Sequence, residues 1–220
     1  MRKQKITLVM VIAMAMIAMT TSASALADLD SDILSLQQRW AEVNYQMEGK
    51  EQLAAFETLI EEAQGVTETY PDAAPAWIWS GIIKSTYAGA KGGLGALKQA
   101  KASKADLEKA LAIEPDAMQG SAYTSLGTLY FNVPGWPVGF GNDEKAEELL
   151  LQALAINPEG IDPNYFYGDF LIDQKRYAEA ETFLLAAQSA PKRPDRPLAD
   201  AGRQKEITQA LLKVRKKLDR

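Results

Sequence analysis

Tyr123-Thr124-Ser125-Leu126-Gly127-Thr128-Leu129-Tyr130, followed after an irregular segment by Ala146, Leu150, Ala153 and Asn157-Pro158, is the stretch whose spacing decides the fold. Tyr123, Leu126, Gly127 and Tyr130 recur at steps of three and four, so they share one helix face, and Gly127 leaves a gap on that face through which a second helix can approach closely. Ala146, Leu150 and Ala153 give the second helix a small-large-small face, and Pro158 ends it. Such a pair leaves apolar surface at its sides and needs neighbours of the same kind to cover it.

Those neighbours are present. Upstream, Pro75, Trp77 and Gly81 open a pair that closes on Leu107, Ala110 and Glu114-Pro115; downstream, Asn164 and Gly168 are followed by a Gln174-Lys175-Arg176 turn and by Tyr177, Ala180, Leu184 and Ala187. The order of a large residue, Leu-Gly, Tyr, then Ala, a bulky apolar residue, Ala and a terminal Pro resembles the tetratricopeptide repeat, with Tyr123 in the Trp slot and Arg176-Tyr177-Ala178-Glu179-Ala180 as a further signature. The resemblance implies an all-α solenoid of about four antiparallel helix pairs that binds other molecules along a concave face. The units are expected at 75–115, 120–158 and 162–190, preceded by a degenerate pair at 28–74 and followed by a Pro-rich linker at 191–197 and a capping helix at 198–220. In the degenerate pair, Ile33, Leu36, Trp40, Val43 and Met47 form one stripe and Leu53, Phe56, Leu59, Ile60 and Ala63 the facing one.

Residues 1–27 read as a leader rather than as part of the fold. Arg2, Lys3 and Lys5 precede an apolar run from Ile6 to Met19, and Ala23-Ser24-Ala25 and Ala25-Leu26-Ala27 offer small-residue cleavage sites. The run is shorter than the roughly 20 residues that span a bilayer, so cleavage near Ala27 and a periplasmic or secreted location are expected. The leader's three charges are all basic, so its removal deepens a net charge of −5, which disfavours nucleic acid and anionic membrane as partners. The chain has neither Cys nor His. Disulfides, a lipid-modified cysteine, Ser-His and Cys-His nucleophiles and Cys/His zinc sites are thereby excluded.

Two insertions lengthen the repeats. Ala88 to Lys101 carries Gly89, Gly92, Gly93 and Gly95 and is expected to form a flexible hairpin with a short helix at 96–102. Phe131 to Asn142 holds two prolines and three glycines, which forbid regular structure, yet Phe131, Val133, Trp136, Val138 and Phe140 are too apolar for a solvated loop. It either folds back as a packed loop, or places Trp136 and Phe140 at the mouth of a binding groove.

Repeat phase puts Ile78, Ile82 and Ser85, then Thr124, Thr128 and Phe131, then Tyr165, Asp169 and Ile172 on the inner face, with Asn132, Asp169 and Asp173 as polar contacts. That mixture suits an extended peptide or a small amphipathic ligand. Asp162, before Pro163, reads as an N-cap. Asp169 and Asp173 lie four apart on one helix face and read as groove-lining or solvated rather than catalytic. No cofactor or metal is expected, and the protein reads as a non-catalytic scaffold for a protein or peptide partner in the envelope. The Gly-rich hairpin, the Tyr-x-x-Leu-Gly-x-Leu-Tyr helix, the Pro-Gly insertion and the C-terminal helix also resemble, more weakly, the T component associated with tripartite ATP-independent periplasmic transporters. That resemblance implies binding of a small organic molecule in transport. The final helix shows Ile207, Leu211, Val214 and Leu218 on one face and Arg203, Lys205, Lys213, Arg215, Lys216 and Lys217 on the other, which reads as a solvated basic face.

Overall fold

The computed structural model describes residues 28–219, so residues 1–27, which the sequence reads as a leader, lie outside the described residues. Helices follow one another through short turns: α1 (28–46), α2 (Gly49–Thr69), α3 (Ala74–Lys91), α4 (Gly93–Ile113), α5 (Ala117–Asn132), α6 (Asp143–Ile156), α7 (Ile161–Asp173), α8 (Tyr177–Ser189) and α9 (Pro197–Lys217). Helix α3 packs on α4, α5 on α6 and α7 on α8, while α3, α5, α7 and α9 touch in succession as an inner row. The fold is an all-helical solenoid.

The glycine gaps hold the pairs together as their spacing predicts. A Cβ on Gly81 would lie 2.6 Å from Cγ of Leu107, one on Gly127 2.8 Å from Cγ of Leu150, and one on Gly168 2.9 Å from Cγ of Leu184. Each leucine is fully buried, so every pair is locked by one side chain filling the space of a missing one. Between pairs, Asn164 donates from Nδ2 to the carbonyls of Pro158 (2.8 Å) and Gly160 (2.9 Å), which fixes the α6–α7 turn. Asn142 caps α6 by accepting from the Lys145 amide at 2.8 Å.

Three local expectations are corrected. The first insertion forms no flexible hairpin. Helix α3 runs on to Lys91 and α4 starts at Gly93, because Gly92 and Gly93 make the turn with φ of 61° and 64° while the Ala and Lys residues around them keep their helical preference. Asp162 does not cap α7: Gly160 holds that position, and the Asp162 carboxylate is turned toward arginines of the following segment. Arg203 is not part of a solvated face, since it is buried among those ion pairs; the four lysines named with it are exposed.

Helix α9 occupies the place that the first helix of a further pair would take, against α7 and α8, and it also reaches the first helix of the chain. Ala199 is buried in one cluster with Leu36, Trp40 and Trp79. A Cβ on Gly202 would lie 2.5 Å from the Tyr45 ring, and the Tyr45 hydroxyl donates to Glu206 at 3.3 Å. The capping helix therefore bridges the two ends of the solenoid across its inner side.

Candidate functional site

The inner row and this bridge surround a cavity of about 1200 Å³. Its walls come from α1, α3, the first half of α4 and α5, from the Pro-Gly loop, from the 157–163 turn into α7, and from the segment 191–196 with the start of α9. Two regions of the wall differ in chemistry.

Along α3 and α5 the polar side chains are turned into acceptors. The hydroxyls of Ser85, Ser121 and Thr128 donate back to the carbonyls of Ile82, Met118 and Thr124 at 2.8, 2.7 and 2.8 Å, and the Asn132 amide donates to Thr128 at 3.0 Å. The three hydroxyls keep only lone pairs for a bound molecule, while Asn132 keeps its side-chain carbonyl oxygen and one N–H. Ile82 and Leu97 supply apolar area beside them.

The other region is an ionic hub under the bridge. Asp162 accepts from Arg193 Nη1 at 2.6 Å and from Arg203 Nε at 2.9 Å; Asp200 accepts from the Arg193 amide and Nε, both at 2.7 Å; Glu206 accepts from Arg203. Arg203 lies 4.4 Å from the ring centres of both Tyr165 and Phe166. Burial alone would raise the Asp162 carboxyl, but Arg203, then Arg193 and Arg196, hold it well below the usual carboxylate range. Burial pushes the Tyr45 hydroxyl up to about 12 and the Asp169 carboxyl above its ordinary value.

Of the residues assigned to the inner face from sequence, Ile82, Ser85, Thr124, Thr128, Asn132 and Tyr165 line the cavity. Ile78 is fully buried between pairs with Leu107 and Leu126. Phe131 packs edge-on against Phe170 at 5.7 Å, Asp169 is half-buried, and Asp173 is exposed and accepts from Gln174. The Pro-Gly loop divides: Phe140 turns in against Tyr130 at 5.5 Å, Val133, Pro134 and Val138 reach the cavity, and Trp136 points out with 89% of its surface exposed. Trp136→Ala is accordingly expected to change stability by less than about 0.5 kcal/mol in a thermal melt. A clear fall in melting temperature would show that the ring is packed. Trp40, Trp79, Tyr45 and Arg196 were not assigned to the site, although the two tryptophans and the Pro-Arg segment were plain in the sequence. Their relevance depends on the meeting of α1 with α9, residues far apart in the chain.

Among the described residues, no group of three or more Asp or Glu side chains is placed to hold a metal ion, and no helix is long and apolar enough to cross a membrane. The fold and the cavity define a helical-repeat protein with a walled concave site. Residues 140–203 match the tetratricopeptide repeat family model, so that part of the chain carries tetratricopeptide-repeat sequence. TTC0263, a thermophilic tetratricopeptide-repeat protein of Thermus thermophilus, superposes with a TM-score of 0.55 at 16% identity, over 74% of this chain and 76% of that one, which supports the fold. MamA reaches a TM-score of 0.44 at 18% identity, over 77% of this chain and 92% of that one. No curated protein matches the sequence. The weaker likeness to the transporter T component is not borne out by these comparisons.

Proposed function

We propose that this is an exported, non-catalytic interaction module that takes a segment of a protein partner into its concave cavity. Tetratricopeptide-repeat proteins mediate protein interactions, which sets the class. The observation that carries the finer reading is the acceptor-rich wall of α3 and α5. An extended polypeptide presents backbone N–H donors at regular intervals, and Ser85, Ser121, Thr128 and Asn132 offer oxygens to receive them. The size of the cavity agrees, since about 1200 Å³ exceeds the roughly 300–1000 Å³ of ordinary small-molecule pockets. Export rests on the basic start, apolar run and small-residue cleavage sites of residues 1–27.

The test is native mass spectrometry of the mature protein taken gently from the envelope fraction of its own cells, with denaturing mass analysis of whatever accompanies it. A polypeptide in fixed stoichiometry is expected, and it should be lost from Ser125→Trp, which fills the cavity from a position on α5. A bare monomer, or a polypeptide retained by that variant, overturns the reading. Recovery of the mature mass, beginning near Asp28, checks export.

A further inference from the structure

Two side-chain atoms among the described residues are buried without a hydrogen-bond partner, Nε of Arg196 and Nε1 of Trp79. Both are donors, both residues line the cavity, and the two touch, the Arg196 guanidinium carbon lying 5.1 Å from the Trp79 ring centre. The first comes from the segment before α9 and the second from α3, so their meeting is a product of the bridge.

The carboxylates around Arg196 are already engaged. Asp162 is held by Arg193 and Arg203, Asp200 by Arg193, and Glu206 by Arg203 and Tyr45. Among the described residues, Arg196 itself makes no ion pair. A desolvated guanidinium whose closest compensation is a ring face is poorly satisfied. Consistently, burial, together with the charge of Arg193, pushes Arg196 down to about 10. A guanidinium is built to receive a planar two-oxygen anion. The surroundings specify the remainder of the ligand: Ile82 and the narrow exposed edges of the otherwise buried Trp40 and Trp79 give the same cavity an apolar and aromatic lining.

We propose that the bridged end of the cavity is a subsite for a small organic acid, with Arg196 anchoring one carboxylate over Trp79 and an aromatic or aliphatic body lying against Trp40, Trp79 and Ile82. The subsite lies beside the acceptor wall offered to polypeptide and has opposite polarity. It uses the same cavity but needs no polypeptide partner, so the two readings fail separately.

The probes are 3-phenylpropionate and octanoate, each paired with its primary amide, titrated into the full mature chain by calorimetry and by tryptophan fluorescence. At least one acid is expected to bind saturably, about tenfold or more tighter than its amide, because the amide keeps the shape and loses the charge-assisted contact. Arg196→Gln should remove that preference, weakening the acid about tenfold or more while leaving the amide unchanged, and Arg196→Lys should restore part of it. Circular-dichroism melts of both variants establish that they fold. The proposal is overturned if acid and amide bind alike, if Arg196→Gln binds the acid as the parent does, or if neither acid binds at 10-millimolar order. It is also overturned if a peptide with a free C-terminus binds where no free acid does, since the anchor would then serve the polypeptide.

Discussion

Asp162→Ala is expected to lower the stability of the folded protein by about 3 kcal/mol, seen as a fall of roughly 10 °C in melting temperature. The carboxylate joins α7 to the 191–196 segment and to α9 through Arg193 and Arg203. Arg203 is buried, so loss of its partner leaves a desolvated charge with only Glu206 to meet it among the described residues. A side chain on a helix surface with the same two bonds would contribute far less, because water would replace them. The effect also has a pH signature. Asp162 is held below the usual range in the folded chain, whereas the unfolded chain takes up its proton on entering the ordinary range near pH 4. Its contribution is therefore complete above about pH 5 and declines as the solution is made more acid. Asp169, raised by burial, has the opposite sign: the folded state accepts that proton first, and its unfavourable neutral-pH contribution fades on acidification. Urea melts of parent and variant between pH 7 and pH 3 should converge toward the acid end, the variant having the flatter profile. Parallel curves would mean that Asp162 is not the coupling group.

The parts of this structure that were legible in the sequence are those whose partners lie a few turns away. Gly81, Gly127 and Gly168 announced the close approach of helices, and Leu107, Leu150 and Leu184 stood out as the bulky residues of the facing helices, which the structure shows filling the gaps. What was hidden arises between distant residues. Gly202 is a fourth gap of the same kind, but the side chain that fills it is Tyr45 from α1, and no local pattern connects the two. Arg203 looked like one more base on a solvated stripe, because spacing along α9 cannot reveal that Asp162, 41 positions earlier, waits beneath it. Repeat phase also mistook a wall. It placed Ile78 inward, whereas Ile78 is packed between pairs and the next residue, Trp79, lines the cavity: one helical step rotates a side chain by about 100°. In the Pro-Gly loop, apolar composition was a sound sign of burial for Phe140 and Val133. It could not say that Trp136 would be left outside, since that depends on the path of the backbone through Gly139 and Gly141, which lie against the carbonyls of Pro134 and Val133.

Leu150→Ala and Gly127→Ala form a cycle that tests whether the glycine gap, rather than leucine burial alone, holds a pair together. Leu150 is fully buried, so Leu150→Ala should cost about 3–4 kcal/mol through lost transfer energy and the void left behind. Gly127→Ala sets two opposing terms against each other. Alanine favours the helix by about 1 kcal/mol, but its Cβ arrives 2.8 Å from Cγ of Leu150, a branch point and not a mobile tip, and overpacking of that kind costs about 1–3 kcal/mol. A net loss near 1 kcal/mol is expected. In the double variant the obstructing side chain is gone and the new methyl enters the space it vacated, so the clash disappears while the gain in helix propensity remains. Denaturant melts should then place the double variant above the sum of the single losses, with a coupling of about 1–2 kcal/mol. The carbonyl of Ala146, 3.2 Å from the added Cβ, sets the ceiling on that recovery, because backbone does not move aside as a side chain does. Simple additivity would mean that α5 and α6 are separated enough for Gly127 to be replaceable, and the interlock would then be only a consequence of packing and not its cause.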